Sequence, residues 1–155
     1  MTEVERIVGQ YDRAMTGGAW HGDSVWEILA DIPAERAFRR PVAGAHTIWE
    51  LVAHMTFWET EVFRRLKGLR PQPEAELNFP KVPEPTADNW ARVLEAFRRS
   101  NADFRGCLTE LADTQWDEPL SAADKSVYVE VHGVIQHHLY HAGQIALLKK
   151  AFDSH

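Results

Sequence analysis

Proline positions constrain the fold of this chain more than any other feature of its sequence. The 155 residues contain eight prolines, and a proline inside an α-helix costs about 3 kcal/mol, so helices are expected between them. Four long stretches contain no proline, namely 1–32, 42–70, 86–118 and 120–155. The prolines that cluster between Arg70 and Thr86 predict one extended connection there.

Helix start signals agree with this division. At three predicted helix starts a Thr or Ser precedes a Glu by three residues, so that the two side chains can satisfy free backbone N–H groups there. Glycines interrupt the first proline-free stretch near Trp20 to Asp23, which predicts two helical pieces on either side of a break. The three pairs are Thr2 with Glu5, Ser24 with Glu27 and Thr47 with Glu50.

Apolar residues recur at alternating spacings of three and four, which is typical of helices that pack in a bundle. No stretch alternates as a strand would. We therefore predict an all-α, up-down four-helix bundle in which residues 1–155 form a single domain. The third stretch carries the clearest apolar row, Trp90, Leu94, Phe97, Asn101, Phe104, Leu108 and Leu111, and the second stretch a similar one, Ile48, Val52, Met55, Val62 and Leu66.

Charge and composition exclude several classes of partner. The 17 Lys and Arg residues against 23 Asp and Glu give a net charge of −6, which argues against binding to nucleic acid. No segment has the roughly 18 uncharged apolar residues of a membrane span, and the first ten residues lack the apolar core of a leader. Cys107 is the single cysteine and cannot form an intramolecular disulfide, so a cytoplasmic protein is expected.

Histidines occupy core positions in the last stretch, where aliphatic residues would pack best. Its apolar row is Val127, Val131, Val134, His138, His141, Ile145 and Leu148. Ile135, Leu139, Ala142 and Ala146 form a second apolar strip beside that row. A helix with so wide an apolar arc is either central in the bundle or covered by a second subunit, and a homodimer is expected.

The spacing of these histidines is compatible with a metal site. His137 and His141 are four residues apart, so both rings can point to one cation, and His138 with His141 is a geometric alternative. His132 lies about 180° around the helix from His141 and should not share the site. His54 in the second stretch is the candidate third ligand. The competing interpretation is that these rings are hydrogen-bonded core residues.

Two segments resemble the DinB-like superfamily of metal-binding four-helix bundles. The segment from His137 to Ile145 reads HxxxHxGQI, and the segment from His46 to His54 resembles the second-helix motif that ends in a ligand. Ala19–Trp20–His21–Gly22 also resembles a segment of one branch. The resemblance covers nearly the whole chain and implies His54, His137 and His141 as the metal ligands, rather than His138.

The resemblance also implies chemistry. Relatives include bacillithiol S-transferases, mycothiol-dependent enzymes and proteins described as metal-dependent hydrolases, with zinc or nickel as the usual ion. A thiol bound there would react as thiolate, whereas water in the same place would give hydrolysis. We expect a metal-dependent transfer of a low-molecular-weight thiol onto small electrophiles, in detoxification or stress. The alternatives are a hydrolase and a bundle without catalysis.

Several further residues are candidates near this site. Glu59 falls in the apolar row of the second stretch, where it is expected to orient a histidine or to pair with an arginine. Gln144 is expected to hydrogen-bond across the bundle, and Cys107 to be a buried, inert thiol. The candidate walls of a substrate pocket are Trp49 and Trp58, and the candidate loop cations for a thiol cofactor are Arg39, Arg40 and Lys81.

Overall fold

The computed structural model describes residues 1–69, 71–120 and 125–153. Within them the chain forms six α-helices and no strand apart from one isolated bridge between Pro119 and Ser126. The predicted all-α bundle is therefore confirmed. The helices are α1 (Glu3–Thr16), α2 (Val25–Leu29), α3 (Ala34–Phe38), α4 (Ile48–Leu66), α5 (Ala87–Thr109) and α6 (Val127–Asp153), with 3₁₀ turns at Ala75–Asn78 and Asp113–Gln115.

The predicted helix starts are present. Thr2, Ser24 and Thr47 each form a capping box with the glutamate three residues later. The break expected in the first stretch separates α1 from α2, and Gly17 follows α1 with a φ of 143°, which glycine adopts more readily than other residues. A short additional helix, α3, starts directly after Pro33.

The four long helices α1, α4, α5 and α6 make the bundle, and their directions differ at one point from a strict up-down alternation. Helices α4 and α5 run parallel, because Trp49 packs on Trp90 near their starts and Lys67 bonds Glu110 near their ends. Helix α6 runs antiparallel to α4, since Arg65 at the end of α4 binds Glu130 at the start of α6. The proline-rich connection is long enough to return the chain to the first end of the bundle, and this permits the parallel pair.

The predicted apolar rows form the core. Phe97 and Phe104 of α5 are fully buried, as are Val52 and Met55 of α4. Burying a side chain of this size contributes about 1.5–3 kcal/mol. On α6 the row through His138 and the strip beside it both pack against the same core: Val131, Val134, Ile135, His138, His141, Ala142, Ile145 and Leu148 are buried, while Leu139 and Ala146 are partly buried against it.

The wide apolar arc of α6 is thus covered within one chain, by the central position of the helix. The homodimer stays a prediction, and exposed apolar residues remain on α6 at Tyr140 and Leu147. None of the described helices combines the length and the apolar character that crossing a bilayer requires.

Candidate metal centre

Three histidines from two helices meet beside the core. Nε2 of His137 lies 2.9 Å from Nε2 of His54 and 3.0 Å from Nε2 of His141. Each ring offers one nitrogen within 4.8 Å of the other two. The i, i+4 spacing on α6 places His137 and His141 one above the other, and the antiparallel packing of α4 brings His54 to the same height. These three residues could hold a metal ion.

The connection between α4 and α5 positions the ring of His54. Nδ1 of His54 lies 2.5 Å from the main-chain oxygen of Asn78, so it must donate, because a carbonyl oxygen only accepts. Phe79 stacks on the same ring at 4.2 Å between centroids, and His46 stacks on the other face of Phe79 at 3.7 Å. Trp58 adds a hydrogen bond from Nε1 to the side-chain oxygen of Asn78.

A hydrogen bond within α6 orients the ring of His141. Nδ1 of His141 lies 2.6 Å from Oε1 of Gln144, one turn further along the helix. The expectation that Gln144 bonds across the bundle is therefore wrong, because its partner is on its own helix. In both His54 and His141, Nδ1 carries the hydrogen and Nε2 presents its lone pair to His137.

Burial keeps the three rings neutral. Burial lowers the pKa of His137 to about 3, with the neighbouring rings of His141, His138 and His54 acting in the same direction. Burial also lowers the pKa of His54 and of His141. Their hydrogen bonds to Asn78 and Gln144 raise the pKa but offset only part of this decrease. Neutral imidazole is the form that binds metal, so these candidate ligands need no deprotonation at neutral pH.

This donor set fits a divalent cation. Two Nε2 lone pairs, from His54 and His141, converge on the Nε2 atom of His137. A proton on His137 could satisfy only one of them, whereas a single cation accepts all three nitrogens. Imidazole suits zinc, nickel, copper and iron, and three protein ligands leave a position open for a further ligand.

Glu59 and His138 form a second, separate polar cluster in the core. Both are fully buried, and Oε1 of Glu59 lies 3.0 Å from Nε2 of His138. The same carboxylate accepts from Tyr11 at 2.5 Å, from Ser100 at 2.6 Å and from Asn101 at 2.7 Å. Glu59 thus pairs with a histidine, but not with one of the three that converge.

The ionisation of this cluster follows from its contacts. Burial alone would raise the pKa of Glu59, but the charge and hydrogen bond of His138, with the hydroxyls of Ser100 and Tyr11, hold that pKa below its ordinary value. Burial, followed by the adjacent charge of Glu59, raises the pKa of Tyr11 well above its ordinary value. The carboxylate therefore stays ionised at neutral pH and accepts all of these bonds.

Comparison with models of known families assigns the chain to one of them. Residues 19–145 match the family model of the DinB superfamily. The chain belongs to the DinB superfamily. The match covers most of the chain, including all of α4 and α6 as far as Ile145, and this superfamily is metal-binding. Comparison with curated proteins and with solved structures found no significant match.

The candidate loop cations and His132 lie outside the three converging rings in this DinB-superfamily bundle. Arg40 forms an ion pair with Glu50 at 2.9 Å and donates to the main-chain oxygen of Ala45. The guanidinium of Arg39 lies over the ring of Phe152. Lys81 is exposed, two residues beyond Phe79. His132 contacts the ring of Tyr128 rather than the three converging rings, in agreement with its place on the helix.

The pocket and thiol predictions have mixed outcomes. Trp58 lies close to the site through its bond to Asn78, whereas Trp49 is fully buried against Trp90 and is a core residue. Cys107 is buried, and burial raises its pKa, which fits an inert thiol. The sequence analysis missed Asn78 and Phe79. They lie in the proline-rich connection, where no periodicity marks a contact with α4.

Proposed function

We propose that this DinB-superfamily protein binds one divalent cation, zinc or nickel, through His54, His137 and His141. The observation that carries the proposal is the convergence of three neutral Nε2 atoms. Two of the rings hold that orientation through amide oxygens, of Asn78 and Gln144. A hydrogen bond from the ring nitrogen that does not face the metal is typical of metal-ligating histidines.

We further propose that the site transfers a low-molecular-weight thiol onto small electrophiles in the cytoplasm, in a detoxification or stress role. Three neutral ligands leave a bound cation its full charge, which lowers the pKa of a thiol that enters the open position. The sulfur electron pair would form the new carbon–sulfur bond, the leaving group would depart with its bonding pair, and the thiol proton would pass to solvent.

The three rings have amide and imidazole hydrogen-bond partners. Among the described residues, the three rings bond to each other and to amide oxygens of Asn78 and Gln144, and to no carboxylate. Hydrolysis by a metal site benefits from a carboxylate that takes the proton of water, as the glutamate does in metalloproteases. A bound cation lowers the pKa of water as well as that of a thiol, so thiol transfer and hydrolysis are separated by their products.

Metal content tests the first part of this proposal. The wild type is expected to hold about one zinc or nickel ion per chain after incubation with either metal, and His54→Ala and His137→Ala are expected to lose it. The matched control is His21→Ala, since His21 is an exposed histidine in the connection after α1. No metal in the wild type, or retention in both ligand variants, would refute the site.

Product formation tests the second part. Conjugation of L-cysteine to iodoacetamide is expected to depend on protein, on metal and on the thiol, and to be lost in His141→Ala. Hydrolysis of 4-nitrophenyl acetate without thiol would instead support the hydrolase. Metal binding with neither activity would support a bundle without catalysis.

A further inference from the structure

A cleft lies next to the candidate metal centre, between α4 and α6. It has a volume of about 230 Å³ and ends at His137. Its walls are mostly apolar, and the residues that form their apolar part are Trp58, Val62, Val129, Gly133 and Val134. The cleft therefore joins an apolar surface to one of the three converging rings.

Gly133 keeps this cleft open. It lies inside α6, where glycine is a poor helix former and needs a reason to be present. A Cβ added at Gly133 would meet no atom within 4 Å, so close helix packing is not that reason. A side chain at this position would project into the cleft. The absence of one leaves space one helical turn before His137.

Two polar side chains of the cleft, Trp58 and Glu130, are already paired, and a third, Lys125, is exposed to solvent. Nε1 of Trp58 donates to Asn78 at 2.7 Å, so the indole presents its apolar surface to the cleft. Glu130 at the rim is bound by Arg65 at 2.9 Å, and both side chains are largely buried. The remaining surface accepts an apolar group without leaving a buried hydrogen-bonding atom unsatisfied.

We infer that this cleft binds the apolar, aromatic body of the electrophile, with its reacting carbon at the His137 end. This inference rests on the proposed thiol transfer and specifies its substrate class. In the case of a benzyl halide, the sulfur electron pair forms the carbon–sulfur bond, the carbon–halogen bond breaks, halide leaves, and the thiol proton goes to solvent. A small polar electrophile has no body to place in the cleft.

Filling the cleft tests the inference. Gly133→Leu is expected to lower kcat/KM for 4-nitrobenzyl chloride with L-cysteine by about tenfold or more, and to leave kcat/KM for iodoacetamide within about twofold. Metal content is expected to be unchanged. Gly106→Leu is the matched control, because Gly106 is an exposed glycine of α5 whose added Cβ also meets no atom within 4 Å. Equal rates in Gly133→Leu and wild type, or an equal loss with both electrophiles, would overturn the inference.

Binding of an unreactive analogue separates this inference from the proposed function. If the wild type conjugates neither electrophile, the thiol transfer fails, but the cleft can still be examined with 4-nitrobenzyl alcohol by ¹H–¹⁵N NMR. Saturable shifts of the Gly133 amide and the Trp58 indole are expected in the wild type, with loss of the Trp58 shift in Gly133→Leu. Absence of these shifts in the wild type would overturn the assignment of the cleft.

Discussion

The side-chain oxygen of Gln144 lies 2.6 Å from Nδ1 of His141, one helical turn further along α6. Because that nitrogen donates, the opposite nitrogen of the ring keeps its lone pair and faces His137. A single helix thus contributes two candidate ligands together with the residue that orients one of them.

Gln144→Leu is expected to weaken zinc binding by about 10- to 100-fold, because His141 loses the acceptor that holds its ring and tautomer. A competition titration against a chromophoric chelator measures this change. Gln136→Leu is the control, since Gln136 is an exposed glutamine of the same helix. Equal affinities in the two variants would show that Gln144 has no positioning role.

Glu59→Gln is expected to lower the free energy of unfolding by about 3 kcal/mol, because the buried carboxylate accepts several hydrogen bonds that an amide cannot all replace. Urea denaturation measures the loss. Glu95→Gln, at an exposed position of α5, is expected to change stability by less than about 0.5 kcal/mol.

The metal content of Glu59→Gln tests whether the Glu59–His138 cluster is independent of the three converging histidines. Glu59 contacts His138 and none of the three converging histidines, so folded Glu59→Gln is expected to bind metal as the wild type does. Loss of metal from this variant while it remains folded would contradict the separation of the clusters.

The metal-free protein is expected to lose stability as the pH falls from 7.5 to 5. Burial lowers the pKa of folded His137 to about 3 from an ordinary value of 6.5. Between these values the unfolded chain binds a proton that the folded chain does not, so the stabilisation is complete above pH 6.5 and declines below it. Urea denaturation across this range measures the effect, and a smaller slope is expected for His137→Ala. Parallel profiles for the two proteins would contradict it.

Cys107 is expected to react slowly with a disulfide reagent in the folded protein. Its side chain is 5% exposed, and burial raises its pKa, so little thiolate is available. The rate at pH 8 should rise at least about tenfold in concentrated urea, where the thiol is exposed. Cys107→Ser provides the blank and is also a suitable background for thiol-transfer assays. A fast reaction in native buffer would contradict the buried, inert assignment.

Much of the bundle follows from local sequence signals. Prolines and capping pairs mark the long helices because they act within a few residues of the helix ends. The apolar rows predict the core because a helix fixes the face of each residue. The direction of α5 relative to α4 is not a local property. It depends on the path of a connection that has no regular period.

The candidate site was predictable to a similar degree. The spacing on α6 identifies His137 and His141 but also permits His138, because positions three and four residues apart both lie on one face. The packing of α4 distinguishes His137 from His138, because His54 lies against His137 whereas Glu59 hydrogen-bonds to His138. Asn78 and Phe79 could not be predicted, since a loop residue reaches its partner through the course of the backbone.

The contact of Asn78 and Phe79 with His54 has a consequence for how the gene of such a protein can change. Surface connections ordinarily accept insertions and deletions more readily than helices do. Here Asn78 and Phe79 contact the ring of His54, a candidate ligand, whereas the described residues on either side, 67–69, 71–74 and 81–86, form no hydrogen bond to that ring. Length variation among descendants of this sequence should therefore accumulate in those flanks and leave the Asn78–Phe79 pair in place.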